Sequence, residues 1–187
     1  MWAVAGLGNP EKRYLKTRHN AGFMAAEALA GRLGARWRST SSGDASVARA
    51  AIGGIEVLLV RPLTYMNSSG VVVNRLLRRK NIPPENLIVI HDDMDMETAR
   101  LRIRKGGSSG GHKGVESIIR ETGQGGFIRV KIGVGRHPSK PAEVYVLEKF
   151  TSEEAPLISA SVDLAAQAAI DIITEGLEAA MNRFNRR

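Results

Sequence analysis

The sequence predicts one α/β domain, a three-layer sandwich in which helices flank a twisted, mixed central sheet. Three observations carry this. Short apolar runs of strand length alternate along the chain with longer segments of helical periodicity. A Gly53-Gly54 pair between two apolar runs signals a hairpin set into that alternation. No repeat and no linker-like stretch divides the 187 residues, so a single domain over 1–187 is expected, with a C-terminal helical segment from about 152.

In order, residues 1–7 form a buried strand that breaks on Gly6 and Gly8. Asn20 is placed to cap a helix over 21–33, stopped by Gly34. After a polar loop at 39–44, residues 47–52 and 55–60 form the hairpin, and Pro62 ends its second strand. A helix over 68–80 finishes on Arg78-Arg79-Lys80, the charge that suits a helix C-terminus. Pro83-Pro84 separates it from 87–90, a continuous apolar run typical of a strand buried on both faces. In 100–104, arginine alternates with leucine and isoleucine, so Arg100, Arg102 and Arg104 share one strand face. Residues 106–114 hold five glycines and lead into a helix over 115–121. Residues 127–134 form a further strand with Arg129 and Lys131 on its polar side, 144–147 a last short strand, and 152–184 a helical segment with a break expected at Gly176.

Composition narrows the function. The net charge is +8, and it is uneven, since residues 141–187 carry 4 basic and 8 acidic groups while the rest is strongly basic. A basic body favours a polyanionic partner, most simply a nucleic acid. The absence of cysteine excludes a disulfide scaffold, a thiolate nucleophile and a thiolate metal site. No apolar run approaches the ~20 residues of a membrane span and no signal-peptide pattern opens the chain, so a cytoplasmic protein is expected.

Chemistry concentrates at strand ends. In open α/β sheets, ligands bind outside the carboxyl ends of the strands. Gly8-Asn9, Asn67 and Asp92 follow three strands, so Asn9, His19, Asn67 and Asp92 are expected to converge there. A neutral His19 is a candidate base towards water, with Asp92 fixing its tautomer. Asn9 and Asn67 offer amide donors to a developing oxyanion and to peptide groups. Taken alone, His19 reads more readily as a helix-capping or solvated residue than as a base, and Asp92-Asp93 as a solvated loop or a magnesium site; only the combination favours catalysis.

Two other patterns invite rival chemistries. Gly6-Leu7-Gly8 resembles a dinucleotide fingerprint, but Glu11 stands where the third glycine belongs, and Pro10 sits in the turn. Gly107-Ser108-Ser109-Gly110-Gly111 matches G-x-S-x-G, but no aspartate lies between Ser109 and His137, so the order Ser, Asp, His is missing. A glycine-rich loop before a helix more simply offers amides to a phosphate or acts as a mobile flap. Arg100, Arg102, Arg104, Lys105, Lys113, Arg129 and Lys131 form a cationic set suited to a phosphodiester backbone. Aromatics are too few there for base stacking.

These residues together resemble the bacterial-type peptidyl-tRNA hydrolases. The resemblance rests on Gly6-Leu7-Gly8-Asn9-Pro10, on Tyr14 with Thr17-Arg18-His19-Asn20-Ala21-Gly22, and on 62–70 around Tyr65-Met66-Asn67. It continues through His91-Asp92-Asp93-Met94-Asp95, Gly110-Gly111-His112 and 129–135 to Tyr145-Val146-Leu147, and so covers almost the whole chain. It implies a monomeric, metal-independent esterase, without cofactor, that releases the peptide from peptidyl-tRNA. His19 would activate water and Asp92 orient it. Asn9 and Asn67 would hold the peptide and carbonyl, with Met66, Tyr14 and Asn20 at the substrate. Arg104 and Lys131 would grip the 5′-phosphate end of the tRNA, with Arg102 on the same face. Lys113 stands where the family usually has asparagine, and would reach a phosphate or the terminal ribose. A non-catalytic RNA-binding relative of the same fold is the alternative.

Overall fold

The computed structural model describes residues 1–123 and 125–185. Its strands are β1 (Trp2–Gly6), β2 (Arg38–Ser39), β3 (Ala45–Ile52), β4 (Ile55–Pro62), β5 (Leu87–Asp93), β6 (Leu101–Lys105) and β7 (Ile128–Gly133). They form one sheet in the order β2-β3-β4-β1-β5-β7-β6. The four central strands are parallel, while β2, β3 and β6 add antiparallel edges. The helices are α1 (Ala21–Arg32), α2 (Ser69–Arg79), α3 (Lys113–Thr122), α4 (Ala142–Tyr145), α5 (Glu154–Glu175) and α6 (Leu177–Phe184).

Side-chain alternation builds the layers. In β5, Ile88 and Ile90 face one way, into a core with Leu29 of α1, Ile158 and Ile172 of α5 and Phe184 of α6. Leu87 and Val89 face the other way, against Val73 and Leu77 of α2 and Ile118 of α3. A strand that is apolar on both sides therefore reads as an unbroken run, and each such fully buried Leu or Ile contributes about 1.5–3 kcal/mol. The three-layer sandwich with a mixed sheet is the architecture observed.

The connections position a crevice. From β1 the chain crosses over α1 to reach β4 on one side, then crosses by α2 on the opposite face to β5 on the other side. The strand order thus reverses around the carboxyl end of β1, where a cleft must open. Close approach there explains the glycines. A Cβ on Gly22 would lie 2.2 Å from the Ile90 carbonyl oxygen, and one on Gly6 would lie 2.2 Å from the Gly22 oxygen. Gly6 and Gly8 serve the packing of α1 on β1, with Gly8 against the Phe23 ring, rather than a pyrophosphate.

Three expectations need correction. Residues 144–147 are not a strand: Pro141 precedes the short helix α4, with Glu143 in its first turn, and the apolar run packs inward through Tyr145. Beyond that run, an isolated antiparallel bridge joins Thr17 and Lys149. Asn20 occupies the N-cap position of α1, but its side chain caps nothing. Finally, α5 is long and apolar enough to cross a membrane by length and composition, with mean hydropathy 1.4. Asp163, Gln167 and Asp171 interrupt that run in sequence, and ten of its residues are buried in the fold. The break at Gly176 is observed, and Arg183 of α6 folds back onto buried Asp171 across it.

Candidate active site

A cleft of about 740 Å³ opens at the carboxyl ends of β1, β4 and β5. Asn9 enters it from the turn after β1, Met66 and Asn67 from the turn after β4, and Asp92 from the end of β5. His19 arrives on a short 3₁₀ turn held from outside: its amide donates to the Val146 carbonyl at 2.8 Å, and that of Arg18 to the Glu148 carbonyl at 3.1 Å. Buried Arg18 secures the turn. Its guanidinium bonds the Lys149 carbonyl at 2.7 Å and Glu154 at 2.6 Å, and lies over the Tyr145 ring.

Asp92 is the hub. His19 Nδ1 lies 2.9 and 3.0 Å from its two oxygens, and His112 Nε2 lies 3.0 Å from Oδ1. The tautomers follow from the surroundings. His112 is the N-cap of α3, and its Nδ1 accepts from the Gly114 and Val115 amides, so its proton sits on Nε2 and is donated to Asp92. A carboxylate facing His19 Nδ1 likewise holds the proton on that atom, leaving Nε2 with its lone pair free. Nε2 of His19 has no protein partner among the described residues.

Electrostatics agree with this assignment. Burial works against the charge of Asp92, but His19 and His112 outweigh it and hold the carboxyl far below the usual range. Burial pushes His19 down, the Asp92 charge and hydrogen bond push it up more strongly, and Lys113 opposes; the net pKa is raised from 6.5. His91 lies behind, its ring edge-on to His112 at 4.7 Å. Burial and then the neighbouring His112 ring push His91 well below 6.5, so it is neutral, and its Nε2 has no partner among the described residues.

The two cleft asparagines are differently held. Asn20, fully buried, accepts from the Asn9 amide at 2.8 Å and donates to the Asn9 carbonyl at 2.9 Å. This reciprocal clamp fixes the Asn9 backbone and leaves its side-chain amide unbonded among the described residues. Among the described residues, the Asn67 side chain makes only a long 3.5 Å contact with Ser68. Two amides therefore face a cleft that holds an imidazole and a carboxylate. Such an arrangement can activate water and bind a developing oxyanion.

The peptidyl-tRNA hydrolase family model matches residues 3–187. The peptidyl-tRNA hydrolase of Thermodesulfovibrio yellowstonii is 43% identical over 100% of both chains. That of Mycolicibacterium smegmatis is 43% identical over 96% of this chain and 94% of its own. The chain belongs to the peptidyl-tRNA hydrolase family. It is thus an enzyme of the hydrolase class. The crystal structure of peptidyl-tRNA hydrolase from Acinetobacter baumannii superposes on this hydrolase with a TM-score of 0.93, covering 99% of this chain and 94% of that one at 34% identity.

Of the residues singled out in the sequence, the structure of this peptidyl-tRNA hydrolase family member brings Asn9, His19, Met66, Asn67, Asp92 and Lys113 to the cleft. Tyr14 and Asn20 are not among its walls: Tyr14 lies on the 3₁₀ turn before it, beneath the Arg13 guanidinium, and Asn20 acts through Asn9. Arg102 and Arg104 are exposed on β6, opposite Lys131 and Arg129 of β7. Lys131 donates to Asp93 at 2.7 Å, with both groups mostly buried. Arg129 leaves the expected phosphate-facing set altogether, because it is 1% exposed. Ser109 lines the cleft, but no imidazole bonds its hydroxyl, which accepts from the Gly111 amide instead. The sequence pattern assigns His112 no role of its own. Its signal was available: a histidine directly before a helix and after a glycine run, in a chain with four histidines.

Proposed function

We propose that this enzyme hydrolyses the ester that joins a peptide, or any N-substituted aminoacyl group, to the terminal ribose of tRNA. The observation that carries this reading is the hydrogen-bond pattern around Asp92, from which the tautomers follow and which leaves His19 Nε2 as an unprotonated nitrogen at the cleft. In the first step Nε2 takes a proton from water as the water oxygen attacks the ester carbonyl carbon. Asp92 stabilises the resulting imidazolium through Nδ1. Asn67 or Asn9 donates to the oxyanion. Collapse breaks the bond between acyl carbon and ribose oxygen, and the imidazolium returns its proton to that oxygen. Peptide acid and tRNA leave.

The remaining cleft amide is suited to the first peptide group of the substrate. An aminoacyl-tRNA with a free amine lacks that carbonyl and leaves the amide unpaired, which is the strong form of discrimination. Met66 forms apolar wall beside it, and Lys113 supplies a cation at the cleft edge. Outside the cleft, exposed Arg102 and Arg104 form a basic strip suited to the acceptor end and 5′-phosphate of the tRNA, and Lys131 beside Arg102 joins it on release from Asp93. The enzyme acts as a single-domain cytoplasmic monomer without cofactor.

Metal independence is part of this proposal. Ligand-type atoms of His19, Asp92 and His112 lie within 4.8 Å of one another. The hydrogen-bond pattern already occupies His19 Nδ1, both ring nitrogens of His112 and the Asp92 carboxylate, and keeps only His19 Nε2 for water.

The test is release of N-acetyl-amino acid from N-acetyl-aminoacyl-tRNA, run beside the same tRNA with a free amine. Hydrolysis of the first and sparing of the second is expected, and loss of that preference in Asn9→Ala or Asn67→Ala identifies the reader. Tight tRNA binding with no ester cleavage would assign the chain to the non-catalytic, RNA-binding class instead.

A further inference from the structure

The largest fully buried side chain among the described residues is a cation, Arg129. It stands on β7, on the face away from Ile128 and Val130, with Phe127 beneath its guanidinium at 5.2 Å. No carboxylate pairs with it among the described residues. Burial, and then the charge of neighbouring Arg104, work against its proton. A buried, uncompensated charge is costly, so a group that persists in this state needs a purpose. Its visible partners are two consecutive backbone carbonyls, Gly107 and Ser108, each taken by one arm of the guanidinium.

Those carbonyls belong to the glycine-rich loop that closes one side of the cleft. Gly106, Gly107, Gly110 and Gly111 all have positive φ, a conformation that glycine adopts freely and that offers no side chain to hold it. The far end of the loop is fixed by His112, through its cap on α3 and its bond to Asp92. Between the two lie Ser109, Gly110 and Gly111, which line the cleft. The near end has Arg129 and a Gly106 amide bond to the Phe127 carbonyl at 3.1 Å.

We propose that Arg129 is a positioning residue of the active site: its buried guanidinium pins the glycine-rich loop at Gly107 and Ser108, so that the loop holds the cleft wall and keeps His112 on Asp92. Arginine suits this because a planar fork serves two carbonyls at once, which a lysine ammonium does not match. The catalytic part of the inference rests on the proposed ester hydrolysis, whereas the loop anchoring does not.

The experiment compares the full-length parent, Arg129→Met and Arg129→Lys by hydrogen–deuterium exchange without ligand, and by kcat and KM on N-acetyl-aminoacyl-tRNA. In Arg129→Met, exchange at 108–112 should accelerate by about 10-fold or more while β5 and β7 stay protected. The kcat should fall by about 10- to 100-fold, as for a misplaced catalytic wall. Thermal stability should not fall in step, because the substitution also removes a buried charge. Arg129→Lys should lie between parent and Met variant in both readouts. Unchanged loop exchange in Arg129→Met overturns the proposal, as does acceleration spread equally over β5, β7 and the loop. Should Arg129→Met not fold, Arg129→Lys decides, with unchanged loop exchange again overturning it. Selective loop loosening in an enzyme whose parent cleaves no ester would uphold the anchor and refute the proposed function instead.

Discussion

Replacing Asp92 by asparagine should be far more damaging than the loss of one charge would indicate, and His112 is the reason. Asp92 accepts from two ring N–H groups, His19 Nδ1 and His112 Nε2. An asparagine keeps one oxygen in the Oδ1 place but puts an NH₂ where Oδ2 lay, 3.0 Å from His19 Nδ1. His112 cannot change tautomer, because its Nδ1 is committed to accept from the Gly114 and Val115 amides. It therefore claims the amide oxygen, and the asparagine NH₂ turns to His19. His19 Nδ1 must then accept, which moves its proton to Nε2, the atom that should receive one from water. A wrong tautomer of this kind costs about 10⁴ in kcat in the serine-protease triad. Here the expected loss is about 10³–10⁴, or about 4–5.5 kcal/mol of transition-state stabilisation at 1.36 kcal/mol per tenfold. KM should stay within about threefold, since Asp92 binds the histidines and not the substrate. The assay is steady-state release from N-acetyl-aminoacyl-tRNA between pH 6 and 9, and raising the pH should not rescue the variant. Adding His112→Ala to Asp92→Asn frees the amide to turn its oxygen to His19, so the double variant should regain about tenfold over the single one, as coupled sites do. Asp92→Asn within tenfold of the parent, or a double variant worse than the single one by the full cost of His112→Ala, would refute the tautomer argument.

Other substitutions probe the surroundings of that centre. Because the His19 pKa is raised and the proposed mechanism needs its neutral form, kcat/KM should fall with one-proton slope as pH drops through a value above 6.5. Lys113→Asn removes a charge that lowers this pKa, so its acid limb should move to higher pH while plateau activity is comparable or higher; a limb moved downward contradicts the assignment. The same raised pKa links to stability: His19 contributes fully below the unfolded value near 6.5 and loses that contribution as pH rises through the folded value. Asn20→Ala should lower kcat/KM by about tenfold through a misplaced Asn9, with tRNA binding intact, and unchanged kinetics would show that the clamp is dispensable. Gly22→Ala places a methyl 2.2 Å from the Ile90 carbonyl oxygen, with no flexible side chain to yield, and should cost about 3 kcal/mol or more in urea denaturation.

Much of this was legible because it is written in local chemistry. The continuous apolar run of β5, the alternation in β6 and the Gly53-Gly54 turn, with both φ positive, each express a backbone geometry directly. The convergence of Asn9, Asn67 and Asp92 followed from the rule for strand ends. What escaped the sequence depends on packing between distant segments. Val144-Tyr145-Val146 has strand-like composition, yet Pro141 starts a helix and Tyr145 donates to the Val134 carbonyl, a contact no pattern encodes. Arg129 alternates with apolar neighbours as an exposed cation would, and only the loop folded over it makes it buried. Asn20 looked like a cap or a substrate contact because its partner is the backbone of Asn9 rather than a residue type. His112 acts through a ring nitrogen whose role is set by the first turn of α3, so its identity alone did not disclose its task.

The central claim is that His19, without a metal, activates the water that cleaves the ester. It is tested most directly by single-turnover cleavage of N-acetyl-aminoacyl-tRNA in excess chelator, comparing the parent with His19→Ala. The account predicts full activity of the parent in chelator and a loss of about 10³-fold or more in His19→Ala with tRNA affinity preserved. Abolition of parental activity by chelator, or a His19→Ala variant as fast as the parent, would contradict it.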